Sequence, residues 1–190
     1  SLWAARSAGV PVRIAHVHTM ASVDELLKSL LKYALRPFVK VFPTHLGASS
    51  WQAAEWMFGR SAVRSGAVFY LPVARELEAF RLDKTVRAEV RSELGVGERL
   101  VVGHLGRFVP QKNHRFLLEV FREVLALDPE AILLLAGDGP LSDAVLDQVR
   151  ADGMVDNVKY LGRRSDPAGL YQAMDVFVLP SLYEGVPGTG

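Results

Sequence analysis

Leu100-Val101-Val102-Gly103-His104-Leu105-Gly106-Arg107-Phe108-Val109-Pro110-Gln111-Lys112-Asn113 passes from an apolar run through two glycines and two cations into a helical pattern. The run 100–105 has no proline and ends at glycine, as a parallel strand buried on both faces does. Downstream, Phe116, Leu117, Val120, Phe121, Val124 and Leu125 recur at helical spacing, with Asn113 as the expected cap and Asp128-Pro129 as the stop. Three further runs, 131–136, 158–161 and 176–179, have the same character, and helices are expected over 141–151 and 168–174. Strand and helix alternate, so the expected class is α/β with a parallel sheet, doubly wound by right-handed crossovers.

Upstream the same rhythm is present in shorter form. Strands are expected at 12–15, 45–48 and 67–71, and a helix at 22–35. A second helix, capped by Ser49 or Ser50, runs to about Phe58 and stops at Gly59. Residues 75–97 are charged, helix-prone and lack the strand–helix rhythm, which places a junction there. The expected division is therefore 1–80, an interdomain region 81–98, and 99–190.

The 190 residues are 49% hydrophobic and 23% charged, with a net charge of +1 and no cysteine, which excludes a disordered chain, a disulfide scaffold and a thiol nucleophile. No apolar run reaches the length of a membrane span, and Ser1-Leu2-Trp3 does not open a signal peptide, so a cytoplasmic location is expected. Residues 1–80 hold nine Lys and Arg against five acids and residues 81–190 thirteen against sixteen, neither being the strongly basic domain of a nucleic-acid binder. Lys28, Lys32, Arg36 and Lys40 recur every four residues. They read as a solvated face or as a peripheral contact with anionic lipid on the cytoplasmic side of a membrane, carried by Lys28, Lys32 and Arg36.

In open α/β sheets ligands lie beyond the carboxyl ends of the strands. There Gly103 and Gly106 let the backbone turn closely, while Arg107 and Lys112 put two cations beside helix N–H groups. That is an anion site suited to a diphosphate, with surface cations beside a loop as the alternative. After the second strand, Gly137-Asp138-Gly139-Pro140 reads either as room for a ligand or a facing domain to approach, or as a tight turn into a helix. After the fourth, Glu184 could accept hydrogen bonds from sugar hydroxyls or be an exposed surface acid. No G-x-G-x-x-G, no G-x-x-x-x-G-K-[ST] and no carboxylate-rich metal cluster occurs, which argues against a dehydrogenase, a P-loop nucleotidase and a resident metal cofactor.

Gly106-Arg107-Phe108 with Lys112-Asn113, Ala136-Gly137-Asp138-Gly139-Pro140, Leu161-Gly162-Arg163, and Asp175 to Gly185 in order resemble the retaining glycosyltransferase family 4 of the GT-B fold. Gly9 to His16 and Ala48-Ser49 ahead of Glu55-Trp56-Met57-Phe58-Gly59 resemble its exopolysaccharide-biosynthesis branch. The resemblance implies two Rossmann-like doubly wound units, both incomplete here, and transfer of a sugar with retention from a nucleotide sugar, expected to be UDP-linked, to a lipid-linked or polysaccharide acceptor, without cofactor or metal. It implies that Arg107 and Lys112 hold and stabilise the leaving diphosphate. Gly106, Gly162, Arg163, Ser181 and Glu184 fall at donor-binding positions, with Gly162 and Arg163 at the base and Glu184 at the sugar. His16 falls near the family's catalytic histidine, with His18 as competitor and a structural histidine as the alternative.

Two departures stand out. Val73-Ala74-Arg75-Glu76 replaces the family's Asn-Gly-Ile-Asp after the interdomain proline, and the second glutamate of the E-x7-E motif would fall two residues past Gly190. The resemblance thus implies an internal segment of a longer enzyme, inactive by itself. A non-catalytic nucleotide-sugar-binding fragment and a GT-B nucleotide-sugar epimerase are the competing readings.

Overall fold

The computed structural model describes residues 1–18, 35–72, 74 and 77–184. The expected helix 22–35 except Leu35, the basic residues Lys28 and Lys32, and three of the four residues 73–76 lie outside the described residues. The chain divides into two compact units, Ser1–Arg75, with which Glu184 is grouped, and Glu76–Tyr183.

In the first unit, β1 (Ile14–Val17), β2 (His45–Ala48) and β3 (Val68–Tyr70) form a parallel sheet in that order. β1 lies two residues later than apolarity alone suggested. Its register pairs Ile14 with His45 and His16 with Gly47, so the ladder carries the polar His16 along. After a short helix α1 (Leu2–Ser7), the main helix α2 (Trp51–Phe58) puts Ala53, Ala54 and Phe58 against Val17, Ala48 and Val68. Ser50 is the residue that caps it, its Oγ accepting from the Ala53 N–H at 3.2 Å, whereas Ser49 is buried and donates toward the Val17 and His18 carbonyls. Gly59 ends α2 with φ +84° and starts α3 (Arg60–Arg64). Arg36 donates to the carbonyls of Met57 and Glu55 at the end of α2, so its guanidinium is engaged within the unit.

The second unit holds β4 (Val101–Leu105), β5 (Ile132–Ala136), β6 (Val158–Tyr160) and β7 (Val176–Phe177), all parallel, in the order β6-β5-β4-β7. The chain winds outward from β4 to β6 and then returns to the other side of β4, so the topological switch lies beside β4. Only β4 and β5 are buried throughout; β6 and β7 are shorter and flank them, because a strand paired on one side needs less apolar surface. Alternate residues serve opposite faces. Val102, Leu133 and Leu135 meet α5 (His114–Leu127) and α6 (Ser142–Ala151), while Val101, Leu105, Ile132 and Leu134 meet Leu94, Val96 and α7 (Pro167–Ala173).

Three expectations need correction. Leu117 and Phe121 of the expected face of α5 are buried, but Phe116 is exposed and Leu118 is buried in its place, so the face is turned toward Leu118. Gly103 does not turn the backbone: it lies within β4, where a Cβ would come 2.1 Å from Met174 Sδ of the opposite layer. Asn113 precedes α5, but with left-handed backbone angles (φ 53°) and no capping bond from its side chain, because a 3-10 turn over Pro110–Lys112 has to be reversed before the α-helix can begin.

Residues 84–93, expected between the units, form a helix, α4 (Lys84–Glu93), of the second one. Its Arg87 and Arg91 reach Asp175 at the start of β7, at 2.5 and 3.3 Å, and the same carboxylate accepts from the Val101 N–H at 2.8 Å. Arg91 is buried and also donates to the carbonyls of Gly97, Arg99 and Ala173, so removing its counter-charge would leave a buried cation. Burial would raise the Asp175 carboxyl, but the Val101 N–H and the two arginines outweigh it and hold the group below its ordinary value of 3.8.

A group depressed in the folded state stabilises fully above its unfolded value and ceases to do so as pH falls through its folded one. Asp175→Asn is therefore expected to cost roughly 2–4 kcal/mol at pH 7 by urea denaturation, and to lose less than the wild type when the pH is taken below about 4. Equal stability of the two proteins at pH 7 would contradict this.

Candidate functional site

The loops that follow β4 and β5 meet backbone to backbone. Gly106 N–H donates to Ala136 O at 2.9 Å, Phe108 N–H to Asp138 O at 3.0 Å, Leu141 N–H to Phe108 O at 3.1 Å, and Gly137 N–H to Gly162 O, beyond β6, at 2.7 Å. Gly137 has φ +138°, and a Cβ on it would lie 1.9 Å from Gly106 O; one on Gly139 would lie 2.5 Å from Phe108 O. Both expected readings have a counterpart, since Gly137 and Gly139 line the adjoining pocket and the segment turns into α6, with Ser142 N–H donating to Gly139 O at 3.0 Å, but the close contacts add a third role. They let two loops approach more closely than any side chain permits.

Beyond that seam opens a pocket of about 570 Å³, lined by Gly106, Arg107, Gly137, Asp138, Arg163 and Arg164 among others. Its charges are unevenly satisfied. Arg164 is held by Asp166 at 2.7 Å and Glu93 at 3.1 Å, which raise its pKa further. Asp138 accepts from Gly139 N–H and from Ser142 Oγ. Arg107 and Arg163 are exposed and have no side-chain partner among the described residues. The uncompensated charge at the pocket is positive and lies beside glycine backbone, which is a setting for a polyanion.

The predicted site residues fall into three groups. Gly106, Arg107 and Arg163 line this pocket, and Gly162 adjoins it with its carbonyl committed to Gly137. Lys112 lays its stem over Gly106, its Cε 3.3 Å from where a Cβ would stand. Ser181 and Glu184 follow β7, and Ser181 Oγ is buried without a hydrogen-bond partner among the described residues. His16 is in the first unit, with Nε2 at 3.1 Å from Leu71 O and its ring edge-on to His18, centroids 4.1 Å apart.

Sequence reading missed a buried histidine pair under the cation loop. His104, in β4, has Nδ1 at 2.8 Å from Val178 O, which assigns the proton to Nδ1, since a carbonyl only accepts. His114 opens α5, stacks on Phe108 at 4.1 Å and meets His104 edge-on at 4.9 Å. Neither of its ring nitrogens has a hydrogen-bond partner among the described residues. The available signal was a polar residue inside an otherwise apolar strand.

Comparison with known proteins places the chain among glycosyltransferase-like sequences and folds. Residues 99–189 match the family of glycosyl transferases group 1. The chain is 35% identical over 187 residues to a protein of Bacillus subtilis described as glycosyltransferase EpsF, covering 97% of this chain and 49% of that one. It is 30% identical over 191 residues to the UDP-Gal:alpha-D-GlcNAc-diphosphoundecaprenol alpha-1,3-galactosyltransferase of Escherichia coli, covering 97% and 49%. The crystal structure of Anabaena HepE in complex with UDP and glucose superposes with a TM-score of 0.81 at 22% identity, covering 97% of this chain and 50% of that one. The chain spans about half the length of the curated relatives it matches, and its fold is that of GT-B glycosyltransferases. Residues 99–189 are those matched by the glycosyl transferases group 1, and the chain as a whole is similar to glycosyltransferases of that kind.

Burial, then the charges of His104 and Lys112, lower the pKa of His114 from 6.5 to about 4. A histidine held neutral in the fold contributes stability that is complete above its unfolded pKa and is lost as pH falls from about 6.5 toward 4. Stability is expected to decline over that window, and His114→Phe, which removes two unsatisfied nitrogens, is expected to flatten the decline without lowering the Tm at pH 7. A Tm drop of several degrees at pH 7 would show that the imidazole makes a bond the fold requires.

Proposed function

We propose that the second unit binds the diphosphate of a nucleotide sugar and that the protein transfers the sugar, with retention of anomeric configuration, to a lipid-linked or polysaccharide acceptor. The observation that carries this reading is the pair Arg107 and Arg163, uncompensated at the rim of a pocket whose floor is glycine backbone. A departing diphosphate develops negative charge on its leaving oxygen, and a fixed guanidinium stabilises that charge without reorganisation. Arg107 and Lys112 supply this charge in the proposed mechanism, with no metal required, and Gly162 and Arg163 receive the base. Ser181 and Glu184 serve the donor sugar. His16 is the first unit's candidate for the reaction, to be tested by His16→Ala against His18→Ala.

UDP is the proposed nucleotide. Support comes from the E. coli relative, named for a UDP-galactose donor, and from the UDP complex of the Anabaena structure. Relatives of lower coverage named for GDP-mannose make GDP the comparison.

The test is calorimetric titration of the chain with UDP and GDP, with and without EDTA, together with transfer by the intact enzyme. UDP binding is expected to survive EDTA and to weaken at least tenfold in Arg107→Ala. Transfer should fall by about two to three orders of magnitude, the usual effect of removing one such donor. Unchanged transfer in Arg107→Ala would overturn the assignment.

A further inference from the structure

The cation loop after β4 and the loop after β7 are joined by more than sheet pairing. Gln111, between Arg107 and Lys112 in sequence, is bonded twice to the second loop: its side-chain Nε2 donates to Tyr183 O at 2.8 Å, and its own carbonyl accepts from Leu182 N–H at 2.8 Å. Deeper in the unit, His104 Nδ1–H donates to Val178 O at 2.8 Å, and the Val178 N–H donates to Gly103 O at the same distance. The segment 178–183 is therefore tied to β4 and its loop at both ends, at a strand whose regular pairing stops at Phe177.

We propose that Gln111 is a positioning residue: through Tyr183 it fixes the backbone of the β7 loop against the cation loop after β4, and with it the segment that leads into Glu184. Neither Gln111 nor Tyr183 lines the pocket, so Gln111 acts on the ligand through its neighbours. The inference rests on the nucleotide-sugar reading above. If that reading holds, Gln111 governs the part of affinity that belongs to the sugar and leaves the part that belongs to the diphosphate. The amide N–H is the feature required. A side chain of the same length without a donor fills the same space and leaves Tyr183 O unbonded.

Two measurements on Gln111→Ala and the isosteric Gln111→Met decide it. Hydrogen exchange reads the clamp without ligand. The Leu182 and Tyr183 amides are expected to exchange about five- to tenfold faster in both variants, with Ile132–Ala136 of β5 unchanged. Unchanged exchange at Leu182, or acceleration spread equally over β5, would overturn the clamp. Titration with UDP and with UDP-glucose reads the positioning. Both variants are expected to weaken UDP-glucose about five- to tenfold and UDP less than about twofold. Equal loss for the two ligands, or full rescue by methionine, would mean that Gln111 only fills space. If the wild-type chain binds neither ligand while Arg107→Ala leaves the intact enzyme active, the functional reading fails and the positioning role fails with it, whereas the exchange result still decides the clamp.

Discussion

Everything at the candidate site depends on two loops meeting with no side chain between them. A methyl group at position 137 would stand 1.9 Å from Gly106 O, and one at 139 would stand 2.5 Å from Phe108 O. With hydrogen there instead, the backbone groups of the β4 and β5 loops satisfy one another, and Gly137 also bonds the turn after β6. Three strand ends are thereby gathered at the carboxyl edge of the sheet, and Arg107 and Arg163, from different loops, come to line one pocket. The cost of placing two like charges together is borne by the packing of β4 and β5, whose side chains are buried throughout.

The opposite end of the same strands is secured by different physics. Asp175 gathers Arg87, Arg91 and the first amide of β4 around a carboxylate, so helix α4 is fastened to the sheet at its amino-terminal edge, away from the loops that meet the ligand pocket. With a charged anchor at one end and a glycine seam at the other, Arg107 and Arg163 have no side-chain partner among the described residues, while Asp138 bonds to Gly139 N–H and Ser142 Oγ and Asp166 pairs with Arg164. Between them, the rings of His104 and His114 meet edge-on below the loop, and burial holds His114 well below the ordinary histidine value.

Much of this was legible in the sequence, and the reasons for what was not are local. Strands β4 and β5 are apolar on both faces and could be read directly, as could the helices that cross between them. β1 could not be placed correctly because its register is set by pairing with β2 and extends through His16, where an apolarity argument stops. The cation loop was recognisable from Gly106, Arg107 and Lys112 together, yet Gly103 was misread, since nothing local reveals that Met174, the residue after α7, will press on β4. Gln111 carried no signal at all: a glutamine in a loop becomes informative only when its partner, seventy-two residues away, is known.

The most direct test of the account is the structure of this chain crystallised with UDP. The account predicts the diphosphate in the pocket formed by Gly106, Arg107, Gly137 and Arg163, with the Arg107 guanidinium within hydrogen-bond distance of a phosphate oxygen. A nucleotide bound elsewhere on the second unit, with Arg107 and Arg163 untouched, would contradict it.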